Sequence, residues 1–424
     1  MMDQSNRRSF VRAVGMAGVG AALSRTALSY QRIIGANGRI GLSLIGSGGR
    51  GQQVWKSFVV QSDVNPVAVC DVYEPFVEAG VNIAGKQAIP DKDFRRLLDL
   101  KEVDAVLIAT PDHWHAMQTV MACQAGKDVY VEKPLSLTIK EGRAMVDAAR
   151  KNNRVVQTGS QQRSGAHYAK AVKMIRDGAL GGVHRISAGN TRNAGPGFIA
   201  RETNKEHLDW DMWLGPAPAV AFDPFRCIYN FRWFWDYSGG QMTNWGAHHL
   251  DIIRWALDAK APTSVSGAGG RYSLKDGGET PDVQEVIYTF PNAVVTWTVS
   301  EVSEGRSKPL EFNGTKGTMN LTRGGFKVTP EVVDKKPQME AINEPKSEMD
   351  VAHVRNFLDC VKSRQRPAAD VEEGHLSAAM CHMGNIATRL VRTLKWDAVR
   401  EEFVADKEAN ALLSKPYRKP WSLS

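Results

Sequence analysis

The chain predicts a two-domain α/β protein that opens with a doubly wound parallel sheet. Three observations carry that expectation. Apolar strands alternate with helical stretches from about residue 40 to residue 163. A glycine motif, Gly46-x-Gly48-x-x-Gly51, sits where the first strand would hand over to the first helix. The 424 residues exceed what a single ordinary core organises.

The chain starts with the charged, apolar and then polar order of an export signal, in "NRRSFVRAVGMAGVGAAL" from Asn6. The apolar run 13–23 is shorter than the about 20 residues a bilayer span needs. Arg7 and Arg8, followed by Ser9, Phe10 and Val11, resemble a twin-arginine signal, a route known for carrying folded proteins. Residues 1–30 are therefore assigned to a signal peptide, with the twin-arginine machinery as partner and the periplasm as destination. A basic amphipathic helix on a cytoplasmic enzyme is the plainer alternative.

Hydrophobic content of 42% and charged content of 24% are those of a globular protein. Net charge is +8; residues 1–30 hold four Arg and one Asp, so the remainder carries +8 − 3 = +5. Without basic runs, that excess gives no footprint for nucleic acid. Five scattered cysteines show neither metal spacing nor a disulfide framework. They read as buried thiols, and no metal site is expected.

"IGLSLI" (40–45) is the first strand, and Gln52 to Val60 continue as a helix. Gly46 allows the tight turn, Gly48 lets the backbone approach a pyrophosphate, and Gly51 lets helix pack on strand. Gly49 and Arg50 belong to the same loop. The helix N-terminus offers unpaired N–H groups to the anion. "VNPVAVCDV" is a second strand whose Asp71 lies 20 residues beyond Gly51. A carboxylate there accepts from a ribose diol and repels a 2′-phosphate, favouring NAD over NADP. Arg50 argues the other way.

Strands follow at 104–111, 128–134 and 154–163, with helices at 115–126 and 140–152. Ligands of such sheets bind beyond the carboxyl ends of the strands. Three polar clusters fall there: "TPDHWH" from Thr110, "EKP" from Glu132 and "GSQQR" from Gly159. Thr110, Pro111, His113 and His115 are candidate cofactor contacts, as are Glu132, Lys133 and Gln161. Arg163 is a candidate substrate contact.

"VYVEKPLS", after the glycine motif and "ATPDHWHA", resembles the glucose–fructose oxidoreductase / inositol dehydrogenase / MocA family over roughly residues 38–395. The resemblance implies a Rossmann domain followed by an α/β domain on a large, open, mainly antiparallel sheet. These are placed at 38–158 and 159–395, with a tail at 396–424. Residues 183–190, 263–272, 283–289, 293–299 and 310–321 have the alternating, β-branched character of such strands. The family further implies a homodimer or homotetramer. A lysine before a proline at a strand end usually reads as a solvated residue. By resemblance, Lys133 instead meets the substrate hydroxyl near the nicotinamide, held by a constrained, often cis, peptide before Pro134.

In "DYSGGQMTNWGAHHLDIIRW" (236–255), Asn244 and His248 are four apart, hence on one helical face. His248 falls on the family's catalytic histidine, and Asn244 stands where the family keeps an aspartate. The neighbouring His249 reads as structural. Trp210, Trp213, Phe231, Trp233, Phe234, Trp235 and Tyr237 crowd just before. They fit core packing and sugar stacking equally, with Tyr237 and Asn244 as candidate substrate contacts. The segment 349–390 reads as two amphipathic helices around Arg366-Pro367, His375 and His382 included as structural residues.

The implied chemistry is hydride transfer from a secondary hydroxyl of a sugar, glycoside or cyclitol to tightly bound NAD. His248 takes the hydroxyl proton and Lys133 stabilises the developing alkoxide. A neutral amide at 244 leaves His248 a weaker base than an aspartate would. Outside the cytoplasm the nucleotide has no pool to exchange with. It is recycled by a second sugar, or by oxidation, elimination and re-reduction that cleave a glycoside with no net redox change. A non-catalytic NAD-bound protein is the third possibility.

Overall fold

The computed structural model describes residues 38–85, 87–303 and 309–423. The twin-arginine segment assigned to residues 1–30 lies outside the described residues.

The first sheet is made of β1 (Ile40–Ile45), β2 (Val64–Cys70), β3 (Ile89–Asp91), β4 (Ala105–Ile108), β5 (Asp128–Val131) and β6 (Val156–Thr158). All pair in parallel, in the order β3-β2-β1-β4-β5-β6. The chain reverses its winding between β1 and β4. That switch point opens a crevice at their carboxyl ends. The central strands β1 and β4 are buried along their whole length because helices cover both faces. These are α1 (Gly49–Val59), α2 (Glu74–Ala84), α3 (Phe94–Asp99), α4 (Asp112–Gln124) and α5 (Ile139–Lys151). At α5, Thr138 and Glu141 form a reciprocal capping box.

Helix α6 (Ala166–Arg176) leads to β7 (Val183–Thr191), and then α7 (Trp210–Leu214), α8 (Gly240–Asn244) and α9 (Gly246–Leu257) follow. The remaining strands are β8 (Ser264–Gly270), β9 (Val283–Thr289), β10 (Val294–Ser300), β11 (Leu310–Gly314), β12 (Gly317–Thr322), β13 (Gly325–Pro330), β14 (Val332–Val333), β15 (Lys336–Pro337), β16 (Ile342–Pro345), β17 (Leu394–Asp397) and β18 (Glu402–Phe403). Among the described residues, nine of them join β7 in one ten-stranded sheet, in the order β16-β13-β12-β11-β7-β10-β9-β8-β17-β18. The pairing is antiparallel except between β7 and β10.

One face of this sheet is apolar, with Trp297, Phe312, Tyr288 and Phe326 in one core beneath α6, α9 and the helix at residues 371–390. The stretch 310–321, read as one strand, is a hairpin turning at Thr315-Lys316. The late helices are α10 (Asp350–Ser363) and α11 (Val371–Leu390), before a short α12 (Lys407–Ala411). Helix α10 returns to the first domain, where Phe357 and Val361 share a core with Phe58 and Tyr130. Helix α11 lies at the junction of the two sheets. A side chain at Gly374 would collide with Thr158 of β6, so glycine permits the close approach.

All five cysteines are free and buried. Among the described residues, no helix is long and apolar enough to cross a membrane.

Candidate active site

The crevice at the β1/β4 switch point is built from the glycine loop. Gly46 has φ +90°, and a Cβ there would lie 2.6 Å from the Thr110 amide nitrogen. A Cβ at Gly51 would lie 2.0 Å from the Gly46 carbonyl oxygen, so only glycine lets α1 start this close to β1. Gly48 and Gly49 leave room above the loop. Asp71, at the end of β2, accepts hydrogen bonds from the Ser47 amide (2.7 Å) and the Tyr73 amide (3.0 Å). Burial raises its pKa to about 6. Each carboxylate oxygen keeps a lone pair for a ribose hydroxyl.

Across the crevice, Arg50 donates to Glu132 at 2.8 Å, and Glu132 also accepts from the Lys133 amide. Gly46, Gly48, Gly49, Arg50, Asp71, Thr110, Pro111, Glu132 and Lys133 all reach the wall. The opposite wall comes from the second domain: Met212 and Trp213 of α7, then Ile228, Phe231 and Arg232. Arg232 is a residue that sequence reasoning missed. Its guanidinium donates to the Tyr229 carbonyl (2.9 Å) and lies between the rings of Tyr229 and Phe231. No carboxylate among the described residues pairs with it. The Asp112 carboxylate in the same crevice attracts it without a direct ion pair, so a cation opposite a glycine loop still has hydrogen bonds to offer a pyrophosphate.

Lys133 projects from the end of β5, beside a cis Lys133–Pro134 peptide. Its ammonium donates to the backbone oxygen and the side-chain oxygen of Asn244, both at 3.0 Å. A third N–H is left over. Burial pulls the lysine pKa down to about 8, against the opposing charge of Glu132.

Asn244 and His248 do not lie on one uninterrupted helix. The chain breaks step at Trp245, between α8 and α9. His248 is buried behind the wall, with no hydrogen-bond partner at Nδ1. Burial, reinforced by the Lys133 charge, holds its pKa well below 6.5. Gln241, whose Oε1 accepts from Asn244 at 3.2 Å, likewise has a buried Nε2 without a partner. His249 packs against Trp297, as a structural histidine would.

Several expected contacts lie elsewhere. Helix α4 begins at Asp112 rather than at 115, so both of its histidines sit on its first turns. His113 donates to the Trp213 carbonyl (3.0 Å) and packs on Trp213 and Tyr237. His115 is wedged between the carbonyls of Pro134 (2.8 Å) and Thr110 (2.9 Å). It braces two loops of the crevice without lining it. Arg163 turns away to Asp251 and Glu373 and lies over Trp255, in an ion network beside α11. Tyr237 is fully buried, edge-on to Trp213. Gln161 begins a 3-10 turn and is buried off the wall. Of the aromatic crowd, only Trp213 and Phe231 reach the crevice.

Two family models match the chain. "Oxidoreductase family, NAD-binding Rossmann fold" covers residues 40–160, and "Oxidoreductase family, C-terminal alpha/beta domain" covers residues 192–423. A glycosyl hydrolase family 109 protein of Solibacter usitatus is 30% identical over 194 residues. That match takes in 42% of this chain and spans 44% of the relative's length. Among solved structures, the WlbA dehydrogenase of Bordetella pertussis, in complex with NADH and UDP-GlcNAcA, superposes with a TM-score of 0.65 at 18% identity. It covers 85% of this chain and 99% of its own. The aldose-aldose oxidoreductase of Caulobacter crescentus superposes with a TM-score of 0.65 at 20% identity, over 84% and 99%. Likeness at that identity establishes the fold.

Proposed function

Given that this chain belongs to the Gfo/Idh/MocA oxidoreductase family, with an NAD-binding Rossmann domain, we propose that it oxidises a secondary hydroxyl of a sugar, glycoside or cyclitol. The observation that carries this reading is the meeting of Lys133 and Asn244 at the crevice wall. A cation from the nucleotide domain there faces polar groups of the second domain.

The residues fit NAD. The glycine loop accommodates the pyrophosphate, Arg232 offers a cation that no carboxylate pairs with directly, and Asp71 takes the ribose diol. When bound, the nicotinamide supplies the hydride acceptor. The chain supplies position and proton handling. Lys133 spends two N–H groups on Asn244 and gives the third to the substrate oxygen, stabilising negative charge as it develops. His248, held neutral by its burial, lies behind the wall rather than on it, so it takes the hydroxyl proton only through a group standing between it and the crevice. Behind the wall, Gln241 and His248 hold buried polar atoms without protein partners.

A second reading is favoured by the Solibacter relative, named for glycosyl hydrolase family 109. Oxidation beside an acidic C–H allows elimination of a glycosidic substituent, water addition and re-reduction. The sum is glycoside cleavage with NAD regenerated. Arg7 and Arg8 support export to the periplasm, where a nucleotide that is recycled in place is an advantage. The open sheet supports a homodimer or homotetramer.

The test is to isolate the nucleotide-loaded protein and offer free sugars, cyclitols and aryl glycosides, following reduced nicotinamide and aglycone separately. Reduced nicotinamide supports the dehydrogenase, and aglycone without net reduction supports redox-neutral cleavage. Silence in both refutes the catalytic reading.

A further inference from the structure

The chain's last described residues, beyond α12, run over the outside of the nucleotide crevice. Tyr417 Oη donates to Glu141 of α5 at 2.6 Å, fixing the segment to the first domain. Lys415 donates to the Trp235 carbonyl, fixing it to the second. Arg418 then grips α7 and the turn after it. Its amide donates to the Pro216 carbonyl (2.9 Å), Nε to the Gly215 carbonyl (2.9 Å) and Nη2 to the Asp211 carbonyl (2.8 Å), while Nη1 pairs with the Asp211 carboxylate (2.5 Å). Three residues later the Trp421 ring stands edge-on to Trp114, with centroids 4.8 Å apart and planes at 81°. Arg95 lies over the same indole.

What Arg418 and Trp421 hold is the crevice wall itself. Met212 and Trp213 of α7 line the crevice from one side, and Trp114 lines it from α4. The Trp213 carbonyl accepts from Trp114 Nε1 (3.0 Å) and from His113. Helix α7 is only five residues long, so it has little rigidity of its own. It is clamped from within by α4 and from without by Arg418. Separating α7 from α4, the movement that opens this wall, breaks both sets of bonds.

We infer that residues 415–423 are a latch that sets how long the nucleotide stays bound, with Arg418 and Trp421 as positioning residues. This rests on NAD occupying the crevice. It gives the C-terminal segment a kinetic role: the latch closes a wall of the site without touching the ligand. Its loss therefore shows in the dissociation rate far more than in the association rate.

The test is to load the full chain and the Arg418→Ala variant with NAD and chase with excess ADP-ribose, measuring release and association rates. Unfolding midpoints are measured without nucleotide. Arg418→Ala is expected to release NAD about tenfold faster or more, with association changed by less than about threefold and an unfolding midpoint close to that of the full chain. Trp421→Ala is expected to act in the same direction. A chain ending at Ser414 is a harsher probe; if it fails to fold, the point variants decide. A full chain that binds NAD, with release from both point variants within about twofold of it, overturns the latch alone. A full chain that binds no NAD overturns the latch together with the nucleotide reading.

Discussion

The Lys133 ammonium sits 3.0 Å from both oxygens of Asn244, and both acceptors are neutral. Burial brings the lysine pKa down to about 8 against the charge of Glu132, and the neutral acceptors at 244 add no charge that would raise it. The substitution at 244 therefore acts first on the lysine. The histidine four residues later is buried behind the wall and already held neutral.

That relationship fixes a pH dependence. In the proposed reaction Lys133 works as the ammonium, so kcat/KM falls as pH rises through about 8. Asn244→Asp places an anion beside it and favours the protonated form. The alkaline limb moves up by about one to three units. A pH–rate profile of the variant checks this, and an alkaline limb that stays in place would remove Lys133 as the titrating group.

Asp71 gives the cofactor its own pH signature. Burial raises the carboxyl pKa to about 6, so below that pH it is protonated and loses its charge-assisted bonds to the ribose. NAD binding favours the ionised form, so affinity increases as pH rises through about 6. Titration calorimetry across that range should show it. Asp71→Asn removes the dependence and costs about 1.5–3 kcal/mol of binding, the worth of hydrogen bonds to a charged group.

Two neighbouring glycines separate packing from mere composition. Gly51→Ala drives a methyl to 2.0 Å from the Gly46 carbonyl, forcing α1 off β1, whereas the site of a Cβ at Gly49 is open. Gly51→Ala is expected to lose about 1–3 kcal/mol of stability and to weaken NAD binding. Gly49→Ala stays within about 0.5 kcal/mol. Denaturant unfolding of both variants decides, and equal effects would contradict the role assigned to Gly51.

The nucleotide half was legible because its constraints are local. A strand, three glycines at fixed spacing and an acid after the next strand each answer a backbone requirement. The strands of the second sheet were legible from alternation, as in β9 and β10, where every second residue is buried. Strands as short as β17 and β18, four and two residues long, give too brief a pattern to stand out in the sequence. His113 and His115 were misplaced because position after a strand does not say where a helix begins. With α4 starting at Asp112, the helical turn sends His113 into the aromatic cluster and His115 against two carbonyls. Arg163 was drawn away by Asp251, 88 residues along the chain. Arg232 was missed because one arginine inside an aromatic run has no spacing to mark it.

The account turns on Lys133 acting at a substrate hydroxyl over bound NAD. A single-turnover experiment with NAD-loaded protein and the sugar or glycoside panel addresses it, comparing the intact chain with Lys133→Met. The intact chain should form reduced nicotinamide, transiently if the glycoside is cleaved. Lys133→Met should bind NAD within a few-fold yet form it about 10²–10⁴ times more slowly. A Lys133→Met variant that reduces its NAD as fast as the intact chain would contradict the account.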